Sequence, residues 1–370
     1  GQNLLDPGED THANLRFMIF LCAVVKAVHE HGDLLRASIA SAGNDHRLGA
    51  HEAPPAIISI FLGDMLTDVL EQIEAGQMTR TLAGGTLDLG AGPLPKLPGD
   101  SGDRNRTSPF AFTGNKFEYR AVGSTMTATW PCTVMNTIVG AALDDIVTAI
   151  ENEAGADAAG DKRDAAILNV LQKVVRDHKA IIFNGDGYSE EWQEEAAKRG
   201  LPNLKSSADA IPVMKDQKNL DLFARYGVLT NPELESRCNT YMETYATSIA
   251  IEGATMLQIA RKQILPSGYA QQRNLAETAA ATEGIGSELL GLRDQFNGYA
   301  DLVDKFRVAC DALAVHLDEL PEDPYEAGPF IRDTLKPAMD DLRELGDQLE
   351  ESTAGTLWAL PSYQDMLFIK

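Results

Sequence analysis

The stretch Asp103-Arg-Asn-Arg-Thr-Ser-Pro-Phe-Ala-Phe-Thr-Gly-Asn-Lys-Phe-Glu-Tyr-Arg-Ala-Val122 decides the fold class. Its last eight residues, Asn115 to Val122, alternate in polarity and carry aromatic residues, which predicts a strand. Alternation along a strand puts Lys116, Glu118 and Arg120 on one face. Upstream, residues 80–109 are rich in Gly, Pro, Asp and Thr and read as an extended, loop-rich region with short strands. Downstream, from about Thr133, the apolar spacing turns helical, and Val134–Ala154 and Asp164–His178 predict helices. The pattern thus gives a first part with short strands and a subdomain of long antiparallel helices after it.

Towards the N-terminus, Asp6-Pro7-Gly8 is a turn, and residues from about Thr11 to His31 have helical spacing with Thr11 or Asn14 as cap. Leu34–Ser41 reads as a strand or as the end of that helix. Asn44–Pro55 is polar and ends on proline, so it reads as a loop, and Ala56–Glu74 as a second helix ended by Gly76. Towards the C-terminus, Phe183–Tyr188 is a turn, and Ser189 caps a short helix with Glu190 and Glu191 in its first turn. Three long amphipathic segments follow: Pro232–Leu265, Gly284–Leu317 and Asp333–Glu351. Pro321, Pro324 and Pro329 separate the last two. The expected division is 1–140, 141–230 and a helical 231–370.

The chain has 370 residues, 44% of them hydrophobic, and a net charge of -23. That charge argues against a nucleic-acid partner and an anionic membrane, since both need clustered Lys and Arg. It leaves room for an anionic substrate in a pocket that concentrates a few cations. Four scattered cysteines form no CxxC pair, so reduced thiols and a cytoplasmic location are expected. The apolar run Phe17–Val25 is closed by Lys26 and is too short to span a bilayer. The opening residues GQNLLDPGED read like the middle of a protein, so a fragment is expected.

Three clusters carry ionisable residues. The first is Asn44-Asp-His-Arg-Leu-Gly-Ala-His-Glu-Ala-Pro-Pro55. Here Arg47 has the planar fork that grips a carboxylate, and Glu52 is a base or clamp. A solvated helix-entry loop explains the same residues. The second is Asp103–Pro109, where Arg104 and Arg106 alternate near hydroxyls, as an anion site or a salt-bridged surface turn. The third is Lys116–Arg120, where Glu118 between two cations is either an internal salt bridge or a hard ligand for Mg²⁺ or Mn²⁺. Together they offer a base, a metal-type carboxylate and several cations. ATP-dependent activation of a carboxylate needs that set.

Four long motifs resemble type III glutamine synthetase: NLLDPG from Asn3, SAGNDHRLGAHEAPPAIISIFLGD from Ser41, DRNRTSPFAFTGNKFEYRAVGS from Asp103 and FNGDGYSEEW from Phe183. Their order and spacing match that family along the chain, including the tail ending in LPSYQDMLF. The resemblance implies an α+β fold, with part of an antiparallel sheet that lines the active-site barrel over about residues 30 to 125, helices packed outside it and a largely helical C-terminal region after it. It implies phosphorylation of the glutamate side chain by ATP with Mg²⁺ or Mn²⁺, then attack by ammonia. Arg47 and Arg120 would bind glutamate. Glu52 would shield the γ-glutamyl phosphate and take the ammonium proton. Arg106 would contact the transferred phosphate, Lys116 the nucleotide phosphates, and Glu118 a divalent metal. Shorter relatives carry a further arginine where this chain has Ala111, which leaves part of the phosphate grip unassigned. The full-length parent would be a homo-oligomer of stacked rings, its sites completed by an N-terminal domain, so this chain alone is expected to be nearly inactive. A ligase joining glutamate to a polyamine and a non-catalytic helical interaction protein are the competing readings.

Overall fold

The computed structural model describes residues 1–48, 56–82, 86–87, 97–98, 107–285 and 290–367. The chain forms two compact units, Gly1–Tyr241 and Met242–Lys370. Helix α1 (Leu15–Ser38) runs through the first. Asn14 caps it, its Oδ1 accepting from the Phe17 amide at 3.1 Å. Leu34 and Leu35 lie inside this helix, so the second of the two readings for Leu34–Ser41 holds. Helix α2 (Ala42–Arg47), strand β1 (Ile60–Phe61) and helix α3 (Gly63–Ala75) follow. Next come strands β2 (Thr86–Leu87), β3 (Leu97–Pro98), β4 (Phe110–Phe112) and β5 (Phe117–Tyr119). Helices α4 (Thr129–Ala154), α5 (Asp161–His178), α6 (Glu190–Lys198), α7 (Ser207–Ala210), α8 (Gln217–Arg225) and the start of α9 (Asn231–Ile259) complete the unit.

The main sheet has the order β1-β4-β5. β1 pairs with β4 in parallel, Ile60 opposite Phe110, and β4 with β5 antiparallel, Phe112 opposite Phe117. The α+β class therefore stands in a coarse form, mostly helix with a small sheet, but that sheet is mixed rather than antiparallel as expected, because β1 runs parallel to β4. The expected strand Asn115–Val122 shrinks to three residues, because Lys116 belongs to the tight link from β4, its carbonyl accepting from the Thr113 amide at 2.9 Å. Aromatic packing fixes this hairpin: Phe110 and Phe117 stack with centroids 5.3 Å apart, and Phe112 meets Phe17 of α1 edge-on at 6.0 Å. The expected helix Ala56–Glu74 is a strand followed by α3, since Ile57, Ile58, Ile60 and Phe61 are all buried.

α3 has no cap of its own. Its entry amides are met from far along the chain by Asn184, whose Oδ1 accepts from Leu62 N at 3.0 Å and Gly63 N at 3.2 Å. Asn184 Nδ2 also donates to Thr67 Oγ1 at 2.8 Å. Gly76, with φ +70°, closes α3 in the left-handed conformation. α4 and α5 pack on α1. By length and composition α4 is apolar enough to cross a membrane; its Val134, Ile138, Ala142 and Ile146 are buried in this unit. None of Cys22, Cys132, Cys238 and Cys310 is in a disulfide; Cys132 is exposed and the other three are buried.

The second unit is helical. The chain passes from α9 through a π turn (Ala260–Ile264) into α10 (Leu265–Gly284). After α11 (Leu290–Asp318) and α12 (Pro324–Phe330), a second π turn (Ile331–Leu335) leads into α13 (Lys336–Ser352), and α14 (Tyr363–Leu367) ends the described chain. Each π turn sits directly before a proline at the second position of the next helix, Pro266 and Pro337. A proline lacks the amide and crowds the carbonyl four residues back; the wider turn relieves both. The expected stop near Leu265 is therefore not a stop. Pro324 opens α12 rather than merely breaking the chain, and Pro329 lies within it.

Candidate functional site

The segment expected as a loop from Asn44 begins as α2, because its residues have buried anchors. Ser41 caps it, its Oγ accepting from Asn44 N at 3.2 Å. The Asp45 carboxylate accepts from Ser207 N at 2.8 Å and Ser207 Oγ at 2.6 Å, and lies 3.6 Å from the Arg36 guanidinium. Both partners of that ion pair are 1% exposed. Arg36 Nε also donates to Leu204 O at 2.8 Å. A charge pair so deeply buried needs this many hydrogen bonds to be tolerated. On another side of α2, the buried Asn44 amide donates to Ile39 O, and to Ala121 O at 3.4 Å.

Arg47, the last residue of α2, donates from Nη1 to Val122 O at 3.0 Å. It is thereby attached two residues beyond Arg120. Arg120 is held by its own amide, which donates to Pro109 O at 2.8 Å. The structure thus brings the two expected carboxylate-binding arginines to one short segment, residues 120–122.

Glu118 in β5 is held by both expected cations. Arg120 donates to Glu118 Oε2 from Nε at 3.2 Å and from Nη2 at 3.1 Å. Lys116 Nζ lies 3.7 Å from Oε1, and Thr113 Oγ1 donates to Oε1 at 3.1 Å. Burial pushes the Glu118 pKa up. Hydrogen bonds from Arg120 and Thr113, with the charges of Arg120 and Lys116, outweigh that and hold it below the ordinary carboxylate value. The Lys116 side chain is 60% exposed and that of Arg120 24%. Lys116 is therefore available to a solution ligand, while Arg120 is half-committed to the protein.

Glu52 and Arg106 lie outside the described residues, and so do His51 and Arg104. The residue after Arg106 is described. Gly187 N donates to Thr107 Oγ1 at 2.8 Å, and a Cβ on Gly187 would stand 2.5 Å from Thr107 O. The FNGDGYSEEW motif therefore grips the chain one residue past Arg106 as well as capping α3. Behind it, Phe183 stacks on Trp192 with centroids 3.8 Å apart. As expected, Ser189 caps α6, accepting from Trp192 N at 3.2 Å. Ala111 is buried in β4.

The sequence pattern did not mark Arg36 or Ser207, and it held Asp45 and Asn184 only as members of longer motifs, with no role of their own. Their partners lie 121 to 168 positions away along the chain for the contacts that matter most. Spacing rules read neighbours a few residues apart, so nothing local marked them.

Glu118 is a hard oxygen donor of the class that Mg²⁺ or Mn²⁺ takes. Among the described residues, however, no group of three or more Asp, Glu, His or Cys is placed to hold a metal. One carboxylate already ion-paired with two cations does not make a divalent site by itself. These residues fit one ligand of a set, not the set.

Residues 166–283 match the glutamine synthetase C-terminal domain family. Along its whole length the chain is 38% identical to type-3 glutamine synthetase of Dictyostelium discoideum, of which it covers 51%. It is 37% identical to a glutamine synthetase of Butyrivibrio fibrisolvens and 33% identical to one of Bacteroides fragilis, covering 52% of each. The chain spans about half the length of the curated relatives it matches.

Proposed function

From this whole-length homology to type-3 glutamine synthetase, we propose that the chain supplies the glutamate-binding and phosphate-binding part of a glutamate–ammonia ligase. The reaction is transfer of the ATP γ-phosphoryl group to the glutamate side chain, followed by attack of ammonia on the acyl phosphate. The observation that best supports it is the convergence of Arg47, Arg120, Glu118 and Lys116 on the β4–β5 hairpin and the segment after it. In a chain of net charge -23, that is a local concentration of cations around one carboxylate.

The roles follow from chemistry. Arg47 uses one donor on Val122 O, and its planar fork has others for a substrate carboxylate. Arg120 chelates Glu118 through two nitrogens. A substrate carboxylate arriving at Arg120 competes for those donors and loosens Glu118 from them. Before substrate arrives, and against the effect of burial, the Arg120 and Thr113 hydrogen bonds hold the Glu118 pKa below the ordinary carboxylate value. Lys116 faces solvent as a mobile point charge suited to phosphates. Glu52 is the base and flap residue in this reading, and Arg106 the contact to the transferred phosphoryl group. Glu118 would be one ligand of a divalent ion, which when bound would supply charge neutralisation at the phosphates. The reading extends to a cytoplasmic homo-oligomer of stacked rings built around a partial barrel that includes β1, β4 and β5.

Glu118→Gln, made in the natural polypeptide that carries this chain, tests the reading. The side chain keeps its shape and loses its charge. Stability should change by less than about 1 kcal/mol, as for a largely exposed ion pair. ATP-dependent glutamine formation should fall by about a hundredfold or more, and raised Mg²⁺ should restore part of it. Unchanged activity at every Mg²⁺ concentration would remove Glu118 from the site and weaken the reading with it. Phosphate release supported by a polyamine but not by ammonia would favour the polyamine ligase instead.

A further inference from the structure

We propose that Asn44 and Asp45 are positioning residues for glutamate: they clamp α2 so that the Arg47 and Arg120 guanidinium groups face the substrate at a fixed spacing. The inference rests on the function proposed above and concerns residues that have no access to substrate themselves.

A six-residue helix cannot hold its own shape in water, so the placement of α2 comes from tertiary anchors. Asp45 is the first. Its side chain is 1% exposed and is met by Arg36 at 3.6 Å, Ser207 N at 2.8 Å, Ser207 Oγ at 2.6 Å and Ser206 Oγ at 3.4 Å. Arg36 is fixed in turn by Leu204 O at 2.8 Å and Lys205 O at 3.3 Å. One side of α2 is therefore attached to segment 204–207.

Asn44 is the second anchor, and it points the other way. The residue is buried, with Nδ2 on Ile39 O and Ala121 O. Its Oδ1 lies only 2.9 Å from where a Cβ on Gly123 would be, so the absence of a side chain at 123 permits the approach. Arg47 then reaches Val122 O at 3.0 Å. Asn44 and Arg47 together bind α2 to residues 121–123, directly after Arg120. Both guanidinium groups are thus referred to one rigid frame. Glutamate carries two carboxylates, so the separation of two guanidiniums governs its binding. ATP makes no demand on that separation in this reading.

The test uses the natural polypeptide that carries this chain, with three variants: Gly123→Ala, Ser207→Ala and Asp45→Asn. The first inserts a methyl group against Asn44, and the second removes one donor to Asp45. The third keeps the shape but removes the charge that faces Arg36, and the two milder variants keep the proposal testable where this one does not fold. The KM for glutamate should rise on the order of tenfold to a hundredfold in Gly123→Ala, the range expected for a displacement near 1 Å. The KM for ATP should stay within about twofold in every variant that folds. Equal rises in both KM values, or lost turnover at unchanged glutamate KM, would overturn the proposal in favour of a general structural role. A wild-type polypeptide that releases no phosphate from ATP with glutamate and ammonia would instead overturn the proposed function, and this inference with it.

Discussion

Replacing Asn184 by alanine tests whether a cap supplied from 121 positions away stabilises α3. Asn184 Oδ1 accepts from two amides at the start of α3, at 3.0 Å and 3.2 Å, and its Nδ2 donates to Thr67 at 2.8 Å. Loss of an N-terminal cap costs about 0.5–2 kcal/mol. Loss of the amide–hydroxyl bond adds about 0.5–1 kcal/mol. Asn184 is exposed, so water takes over part of both roles. The expected net cost is about 1.5 kcal/mol, or a drop of roughly 3–6 °C in the midpoint for a unit of this size. Asn184→Asp separates the two contributions. It keeps the acceptor, adds a negative charge at the positive end of α3 and loses only the donor to Thr67, so it should lie close to wild type. Thermal and urea unfolding of all three proteins, followed by far-ultraviolet circular dichroism, reads the difference. An alanine variant within about 0.5 kcal/mol of wild type, the range of an ordinary surface substitution, would refute the capping argument. So would an aspartate variant as unstable as the alanine one.

Three further expectations concern two glycines and a histidine pair. Gly187→Ala would place a Cβ 2.5 Å from the Thr107 carbonyl oxygen, which is backbone and cannot swing aside, so a cost of about 1–3 kcal/mol is expected in urea unfolding. Gly140→Ala, inside α4 with open space around its Cβ, should stabilise by about 0.5–1 kcal/mol in the same experiment. His29 and His178 meet Nδ1 to Nδ1 at 2.9 Å, one ring donating and the other accepting. Burial lowers the pKa of both; Glu30 opposes this at each ring, and Lys26 and His29 add to it at His178. A histidine that binds its proton less readily when folded contributes stability above its unfolded pKa of about 6.5 and loses it as pH falls. The melting temperature should therefore fall between about pH 7.5 and 5.5, and less steeply in His178→Asn.

Much of the architecture was legible because it is written in local pattern. Asn14 before an apolar-periodic run announced α1, and Ser189 before Glu190 and Glu191 announced α6. The elements that were misread are those fixed by distant partners. Asn44–Arg47 has the composition of a loop and becomes helix because Asp45 and Asn44 are held by residues 207, 39 and 121. Residues 56–62 have helical composition but enter the sheet, where Ile60 pairs with Phe110 and its carbonyl accepts from the Phe183 amide at 2.9 Å. Pro266 reads as a helix stop, yet a π turn carries the chain through it. At the site, the strand alternation around Glu118 was enough to group Lys116, Glu118 and Arg120. That Arg47 joins them could not be read from spacing, since its contact to Val122 spans 75 positions.

In the proposed function this chain is a working part of a glutamine synthetase site. The measurement that tests it most directly is γ-glutamyl hydroxamate formation from glutamate, hydroxylamine, ATP and Mg²⁺. The chain would be assayed alone and mixed with the separately produced part of the Dictyostelium discoideum relative that the match does not cover. The account predicts little product from either piece, and ATP-dependent product from the mixture that disappears with Glu118→Gln. Two folded pieces that associate and still make no hydroxamate would contradict it.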